Sequence, residues 1–238
     1  HIAVLYLLIK NKPDVIFFRN NTYQLGIIAL FRKLFGGELI WSVKSDLACG
    51  KDAATIRLRN RFSIGDINTF RTILLKTQDL IFNYGVNKCN LILAQNNYQM
   101  DRIKNDFSID PIKFYSCTNI QNQENERENI VLFVATIKYM KRPELFCRIA
   151  SKLSGQGFRF ILIGPNYNKE SKADRLIKVM NESNVEYWGY RSSESIIELL
   201  RKSKILVNTS SFEGFPNTFV QAFSCGVPVV SLDVDPDN

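Results

Sequence analysis

Histidine is nearly missing from this sequence: His1 is the only one in 238 residues. A chain without internal histidine is poorly equipped for imidazole acid–base catalysis and for most zinc hydrolase designs. C-x-x-C pairs are absent. The five cysteines (Cys49, Cys89, Cys117, Cys147, Cys225) lie far apart. Their spacing and odd number suit reduced cytosolic thiols, not a disulfide frame or a zinc site. There is no G-x-G-x-x-G segment, which excludes the fingerprint of a Rossmann dehydrogenase. RNA-recognition and helix-turn-helix signatures are lacking. No apolar run approaches the ~18–20 residues that cross a bilayer.

What is present is the composition of a globular protein. Apolar residues make up 45% and charged residues 23%, which excludes a disordered tail, a fibrous repeat and a coiled coil. The balance of 31 basic and 23 acidic residues, +8, favours anionic partners without choosing among small phosphorylated molecules, lipid headgroups and nucleic acid. The apolar start, Ile2 to Ile9, is followed by Lys10-Asn11-Lys12-Pro13. A signal peptide has its positive charge before the apolar run. The order here reads as a helix entered midway, so the chain is expected to be a fragment.

Gln121–Asn129 contains no apolar residue and reads as an exposed linker. It separates an N-terminal domain, 1–120, from a C-terminal domain, 130–238. In the second, Ile130-Val131-Leu132-Phe133-Val134-Ala135 is a strand buried on both faces. Pro143 suits the first position of the next helix. Strands Phe158–Gly164, Val185–Tyr190, Ile205–Thr209 and Val227–Leu232 alternate with helices near Ser171–Ser183, Ser193–Lys202 and Thr218–Cys225. The first domain repeats the scheme less regularly. Its strands are Asp14–Arg19, Glu38–Val43, Asn90–Gln95 and Ile112–Ser116. Its helices lie near Tyr23–Phe35 and Asn97–Phe107, with Asn96 as N-cap. Ala54–Val86 departs from the pattern and places Ile67, Phe70, Leu74, Ile81 and Tyr84 on one side of a helix. Short apolar strands joined by helices require parallel pairing through right-handed crossovers, so both domains should be doubly wound α/β sheets. Such sheets bind ligands beyond the carboxyl ends of their strands, and the expected site is the cleft between the domains.

Two loops carry the chemistry. In Ser210–Ser231 an acidic residue, Glu213, sits in a Gly214/Pro216-bent loop before a short helix. Amides near Asn217 and Thr218 can hold an anion, Glu213 can accept from sugar hydroxyls, and Gln221 can reach a further diol. The other loop, Ala135-Thr136-Ile137-Lys138-Tyr139-Met140-Lys141-Arg142-Pro143-Glu144, brings cations to a strand end. The plain alternatives are a solvated Glu and a solvated basic loop.

The Ser210–Ser231 segment resembles the signature of retaining glycosyltransferase family 4 (glycosyl transferases group 1): E-x₇-E in an EGFP/EGFG loop, then a helix and G-x-P-V-V. The resemblance implies the GT-B fold, two facing Rossmann-like domains, and a hexosyltransferase-type enzyme. Its reaction would move a sugar from a nucleotide-diphosphate donor to a hydroxyl acceptor with retention, in polysaccharide, glycolipid or cell-envelope glycan synthesis. It assigns Glu213 to the donor sugar and the second acid to the nucleotide ribose. Here Gln221 holds that position and lacks the charge. The family pattern G-R-x₄-K-G matches Lys141 for the diphosphate. Thr136 stands at the Arg position, where Lys138 is the compensating cation. Gly164 and Tyr190 correspond to turns near the nucleotide, and Gly214, Phe215, Pro216, Asn217 and Thr218 to the donor loop. Asp46 is the acceptor-side candidate. Asp233-x-Asp235 imitates a metal-binding D-x-D, yet the resemblance implies neither metal nor other cofactor.

The implied partners are a nucleotide sugar and a glycan or lipid-linked acceptor, with no nucleic acid. On the resemblance, the chain is expected to lack the family's opening strand and closing helices. Between residues 56 and 76, Arg57, Arg59, Arg61, Arg71 and Lys76 stand against Asp66, which suggests an anionic membrane surface as a further partner. The expected location is cytoplasmic, with peripheral contact at the inner face of the plasma membrane. Two other readings are a GT-B protein that binds nucleotide sugar without catalysis and a basic nucleic-acid-binding module.

Overall fold

The structure is a computed structural model and describes residues 2–59, 69–121, 126–166 and 178–235. The chain divides into two compact units, His1–Tyr115 and Ser116–Asp235. Residues 122–125 of the expected linker lie outside the described part. Its flanks belong to the second unit, where the Gln121 amide donates to the Ser224 carbonyl at 3.0 Å. The Arg127 guanidinium donates to the Cys225 carbonyl at 2.9 Å.

The first unit runs α1 (Ile2–Asn11), β1 (Val15–Phe18), α2 (Gln24–Phe35), β2 (Glu38–Ser42), a 3₁₀ turn (Asp46–Ala48), α3 (Ala53–Arg59), α4 (Thr69–Val86), β3 (Leu91–Ala94), α5 (Asn97–Phe107) and β4 (Ile112–Lys113). Its sheet is parallel in the order β1-β2-β3-β4. Period-2 alternation sends Ile16, Leu39, Trp41, Ile92 and Ala94 into a core shared with Leu25, Ile28, Phe82 and Ile103. The Trp41 ring meets Phe82 edge-on at 5.3 Å, and its indole N–H donates to the Asn20 carbonyl at 2.9 Å. Register places Phe17 beside Ile40, Ile40 beside Leu91 and Leu93 beside Ile112 on the other face. There Val15, Phe17 and Ile112 are all more than half exposed. The sequence suggested strands covered on both faces, but among the described residues the second face of this sheet is only partly covered.

Two glycines let α2 and α4 touch backbone to backbone. A Cβ on Gly85 would fall 2.5 Å from the Gly26 nitrogen, and one on Gly26 would fall 2.0 Å from the Ile81 oxygen. Asp79 of α4 is buried because it caps α3. Its carboxylate accepts from the Ala54 amide (2.6 Å), the Thr55 amide (3.3 Å) and the Thr55 hydroxyl (2.6 Å). Farther up α4 the side expected to be apolar does not join the core, since Phe70 is 75% exposed and Leu74 47%. Ile67 lies outside the described residues.

The second unit runs β5 (Ile130–Val134), a 3₁₀ turn (Tyr139–Lys141), α6 (Pro143–Lys152), β6 (Arg159–Ile163), β7 (Val185–Tyr187), α7 (Ser193–Lys202), β8 (Ile205–Asn208), α8 (Asn217–Ser224) and β9 (Val229–Ser231). Of the helix expected near Ser171–Ser183, residues 178–182 are helical and 171–177 fall outside the described part. The parallel order is β7-β6-β5-β8-β9. The chain therefore moves outward from β5 to β7, then returns to lay β8 against the other side of β5. Reversing direction with right-handed crossovers puts later helices on the opposite face. Two separate cores result. Val131, Phe133, Phe160 and Leu162 pack with Phe146 and Met180, whereas Ile130, Leu132, Ile161 and Leu206 pack with Leu200, Phe219 and Ala222.

Candidate functional site

Beyond the carboxyl ends of β5 and β8, where the strand order reverses, lies a pocket of about 160 Å³. A reversal opens a crevice because the chain leaves two adjacent strands toward opposite faces. Val134, Ala135, Thr136 and Lys141 form one wall. Asn208, Ser210 and Glu213 form the other, and Pro216, Asn217 and Thr218 close the end. Pro216, the N-cap of α8, makes no side-chain cap bond. The first-turn amides and the positive end of the helix dipole thus lie at the pocket and suit an anion.

Lys141 ends the 3₁₀ turn after β5, and Glu213 lies in the loop after β8. The Lys141 ammonium and the Glu213 carboxylate form an ion pair, with side chains 23% and 19% exposed. Glu213 also accepts from the Ser210 hydroxyl at 2.9 Å, and the Ser210 amide donates to Asn208 Oδ1 at 2.7 Å. The loops are braced to each other: the Ser211 amide donates to the Met140 carbonyl at 2.9 Å, and the Thr209 hydroxyl to the Lys141 carbonyl at 2.7 Å. The pocket thus offers a cation, a carboxylate and a helix start within one small volume. That set can hold a diphosphate and hydrogen-bond a polyol.

The other expected residues fall around this pocket or away from it. Gly214 is buried, and Phe215 packs on the core under α7 and α8. Gly164 must be glycine, because its φ is 150° and a Cβ would stand 1.8 Å from the Ala135 oxygen in the pocket wall. Lys138 is exposed, Tyr190 is 71% exposed, and neither lines the pocket. Gln221 also stands outside it, where its amide donates to the Ser193 hydroxyl at 3.2 Å and joins α8 to α7. Asp46, in the first unit, braces the turn after β2 against α5. Its Oδ1 accepts from Asn96 Nδ2 at 3.0 Å and Gln99 Nε2 at 2.7 Å. Asn96 caps α5 as expected, accepting from the Gln99 amide at 2.8 Å. Asp233 of the D-x-D is paired with Arg142. Among the described residues no group of three His, Cys, Asp or Glu side chains is placed to hold a metal ion.

Sequence reasoning passed over Thr209, Ser210 and Arg142. Two polar residues directly after a buried strand were a usable signal for the first pair. For Arg142 the signal was its place at the final Gly of the G-R-x₄-K-G pattern, where it adopts φ 45°, while its partners are remote in sequence. The thiols play no part in this chemistry. Burial, then Asp46, pushes the Cys49 thiol up to about 12; burial, then Glu144, pushes Cys147 up to about 11. All five cysteines are free. No helix among the described residues is long and apolar enough to cross a membrane.

Two Rossmann-like parallel-sheet units, one with an ion-paired pocket at its strand reversal, define the GT-B class of α/β protein. The family described as glycosyl transferases group 1 matches residues 118–236, half of the sequence, and the chain belongs to it. An uncharacterized glycosyltransferase of Methanocaldococcus jannaschii is 24% identical over 235 residues, covering 96% of this chain and 66% of the relative. The amylovoran biosynthesis glycosyltransferase AmsD of Erwinia amylovora is 25% identical over 175 residues, 70% of this chain and 49% of the relative. Among solved structures, HepE of Anabaena in complex with UDP and glucose superposes with a TM-score of 0.69 at 15% identity, over 97% of this chain and 62% of HepE. TarM superposes at 0.66 with 18% identity, over 97% of this chain and 44% of TarM. The chain thus spans from under half to about two thirds of the length of these proteins.

Proposed function

We propose that the protein is a retaining glycosyltransferase of family 4 type, moving a sugar from a nucleoside-diphosphate sugar to an acceptor hydroxyl in glycan or cell-envelope synthesis. The observation that carries this reading is the meeting of Lys141 and Glu213 in the pocket at the reversal of the second sheet. Two residues 72 positions apart in sequence, each matching a different motif of the family, share one small volume. The relative from Erwinia amylovora is named for amylovoran biosynthesis, and HepE is seen with UDP and glucose. Both support a nucleotide-sugar donor and a glycan product.

The chemistry follows from charge. The bond between the anomeric carbon and the donor phosphate oxygen breaks, and one to the acceptor oxygen forms on the same face. The acceptor proton passes to the departing phosphate oxygen, so no side-chain base is needed. Negative charge grows on the diphosphate, where Lys141 and the amides at Asn217 and Thr218 stabilise it. Glu213 orients the sugar hydroxyls. In the free protein Glu213 holds the ammonium that the diphosphate would take over. No residue in this scheme calls for a metal or other cofactor. Lys138, Tyr190 and Gln221 are assigned to the nucleotide side and Asp46 to the acceptor side.

Calorimetric titration with UDP-, GDP- and ADP-sugars, followed by product analysis, tests the reading. Binding of one donor and transfer with unchanged anomeric configuration is the expected result. Binding without turnover in the full-length protein would leave only a nucleotide-sugar binder, and DNA retention in place of donor binding would support the nucleic-acid reading.

The lipid-surface partner rests on α4. Phe70, Ile73, Leu74 and Leu80 are 75, 59, 47 and 69% exposed and fall on one stripe of the helix. Arg71 and Lys76 flank it, the arrangement of a helix that lies in a membrane interface. Sedimentation with anionic liposomes, reduced by salt and by Phe70→Glu, is expected. Equal recovery with neutral liposomes, or none with either, would remove the peripheral-membrane assignment.

A further inference from the structure

The residue after Lys141 has an unusual backbone. Arg142 has φ 45° and ψ 52°, a left-handed conformation that costs energy for any residue with a Cβ. Its side chain does not cap α6, of which it is the N-cap residue. It crosses instead to the neighbouring strand end. Nε donates to the Thr209 carbonyl at 2.6 Å, Nη2 to the Ser210 carbonyl at 3.3 Å, and Nη2 also pairs with the Asp233 carboxylate. Thr209 answers with its hydroxyl, which lies 2.7 Å from the Lys141 carbonyl and 2.9 Å from that of Arg142. Thr209 and Ser210 are buried, so their bonds to Arg142 are partly shielded from water, whereas Asp233, at the outer end of the guanidinium, is 54% exposed. Ser210 in turn donates to Glu213, and Glu213 pairs with Lys141. The links close a ring: Lys141, Arg142, Thr209 and Ser210, Glu213, and back to Lys141.

We propose that Arg142 is a positioning residue: it locks the turn bearing Lys141 onto the loop bearing Glu213 and so aims the Lys141 ammonium into the pocket. This rests on the reading of Lys141 as a diphosphate ligand. Only a guanidinium fork can reach two successive carbonyls and a carboxylate together; an ammonium at this position cannot reproduce that geometry.

The test is a double-mutant cycle read by calorimetry with UDP, GDP and ADP as probes, using whichever binds the wild type most tightly. Lys141→Ala is expected to weaken binding about tenfold or more. Arg142→Gly, which suits the left-handed backbone and removes only the side chain, should weaken it several-fold. The double variant should bind no worse than Lys141→Ala, because Arg142 acts through Lys141. Multiplying losses would overturn the proposal, as would wild-type affinity in Arg142→Gly. If Lys141→Ala binds normally while Arg142→Gly does not, Arg142 touches the ligand itself, and both the proposal and the Lys141 assignment fall. Failure of all three probes to bind the wild type overturns both as well. Thermal melts accompany each variant. If Arg142→Gly does not fold, Thr209→Val, which removes the returning hydroxyl bonds, takes its place in the cycle with the same expected pattern.

Discussion

The two units are built from the same parts and differ in how the chain visits the sheet. In the second it starts at β5, works outward and returns beside its starting strand, so helices cover both faces and two cores form. In the first, the described strands follow one another in chain order, one core forms, and the other face keeps Val15, Phe17 and Ile112 exposed. The consequence reaches the polar residues at the strand ends. At the reversal, Lys141 and Glu213 border open volume. Among the described strands of the first unit there is no reversal, and there Asp46, Asn96 and Gln99 bond to each other and bind the turn after β2 to α5. Similar polar loops become a pocket in one case and a brace in the other.

Truncating one apolar residue in each sheet gives the strongest contrast. Phe133→Ala, at a position 1% exposed, should cost about 3–5 kcal/mol. Phe17→Ala, at 55% exposed, should cost under about 1.5 kcal/mol. Urea denaturation of both variants measures the difference, and equal costs would mean that the open face is covered in solution. Next in size is Lys141→Ala, expected to lower kcat by about 10²–10³, or ~2.7–4 kcal/mol, with a smaller change in donor KM. A loss confined to KM would reduce Lys141 to a binding group. Glu213→Gln should also slow turnover; wild-type rates would remove its orienting role.

A smaller effect is expected where α2 and α4 touch. Gly85→Ala drives a methyl into the Gly26 backbone and should destabilise by about 1–3 kcal/mol. Nucleotide affinity of the folded variant should stay unchanged, since the pocket belongs to the other unit. The smallest effect concerns the thiols. With pKa values raised to about 12 and 11, Cys49 and Cys147 stay protonated at pH 8. A disulfide reagent should then label exposed Cys117 first and reach those two only after urea returns them toward the ordinary thiol value. Fast labelling of either in the native protein would contradict its burial.

Much of the fold was legible because its signals are local. Apolar runs marked β5 and β6, Pro143 marked the start of α6, and Asn96 marked that of α5 to the residue. The Glu213 loop was legible for the same reason: acid, glycine, proline and helix start lie within a few positions. Arg142 shows where such reading stops, because nothing near it in sequence tells that its guanidinium lies on Thr209 and Asp233. Gly164 is similar: a strand-end glycine looks optional until the Ala135 oxygen is found where its Cβ would be.

By itself, then, the sequence determined the alternation of strands and helices, the parallel sheets that alternation demands, and the two loops to which the proposed phosphate and sugar contacts are assigned. Hydrophobic periodicity and turn chemistry act over a few residues and are written wherever those residues stand. Strand order, the partly exposed second face of the first sheet among the described residues, the pairing of Lys141 with Glu213 and the reach of Arg142 were decided only by tertiary structure. Each depends on which distant segments pack together, and packing brings residues 67 to 91 positions apart within hydrogen-bonding distance.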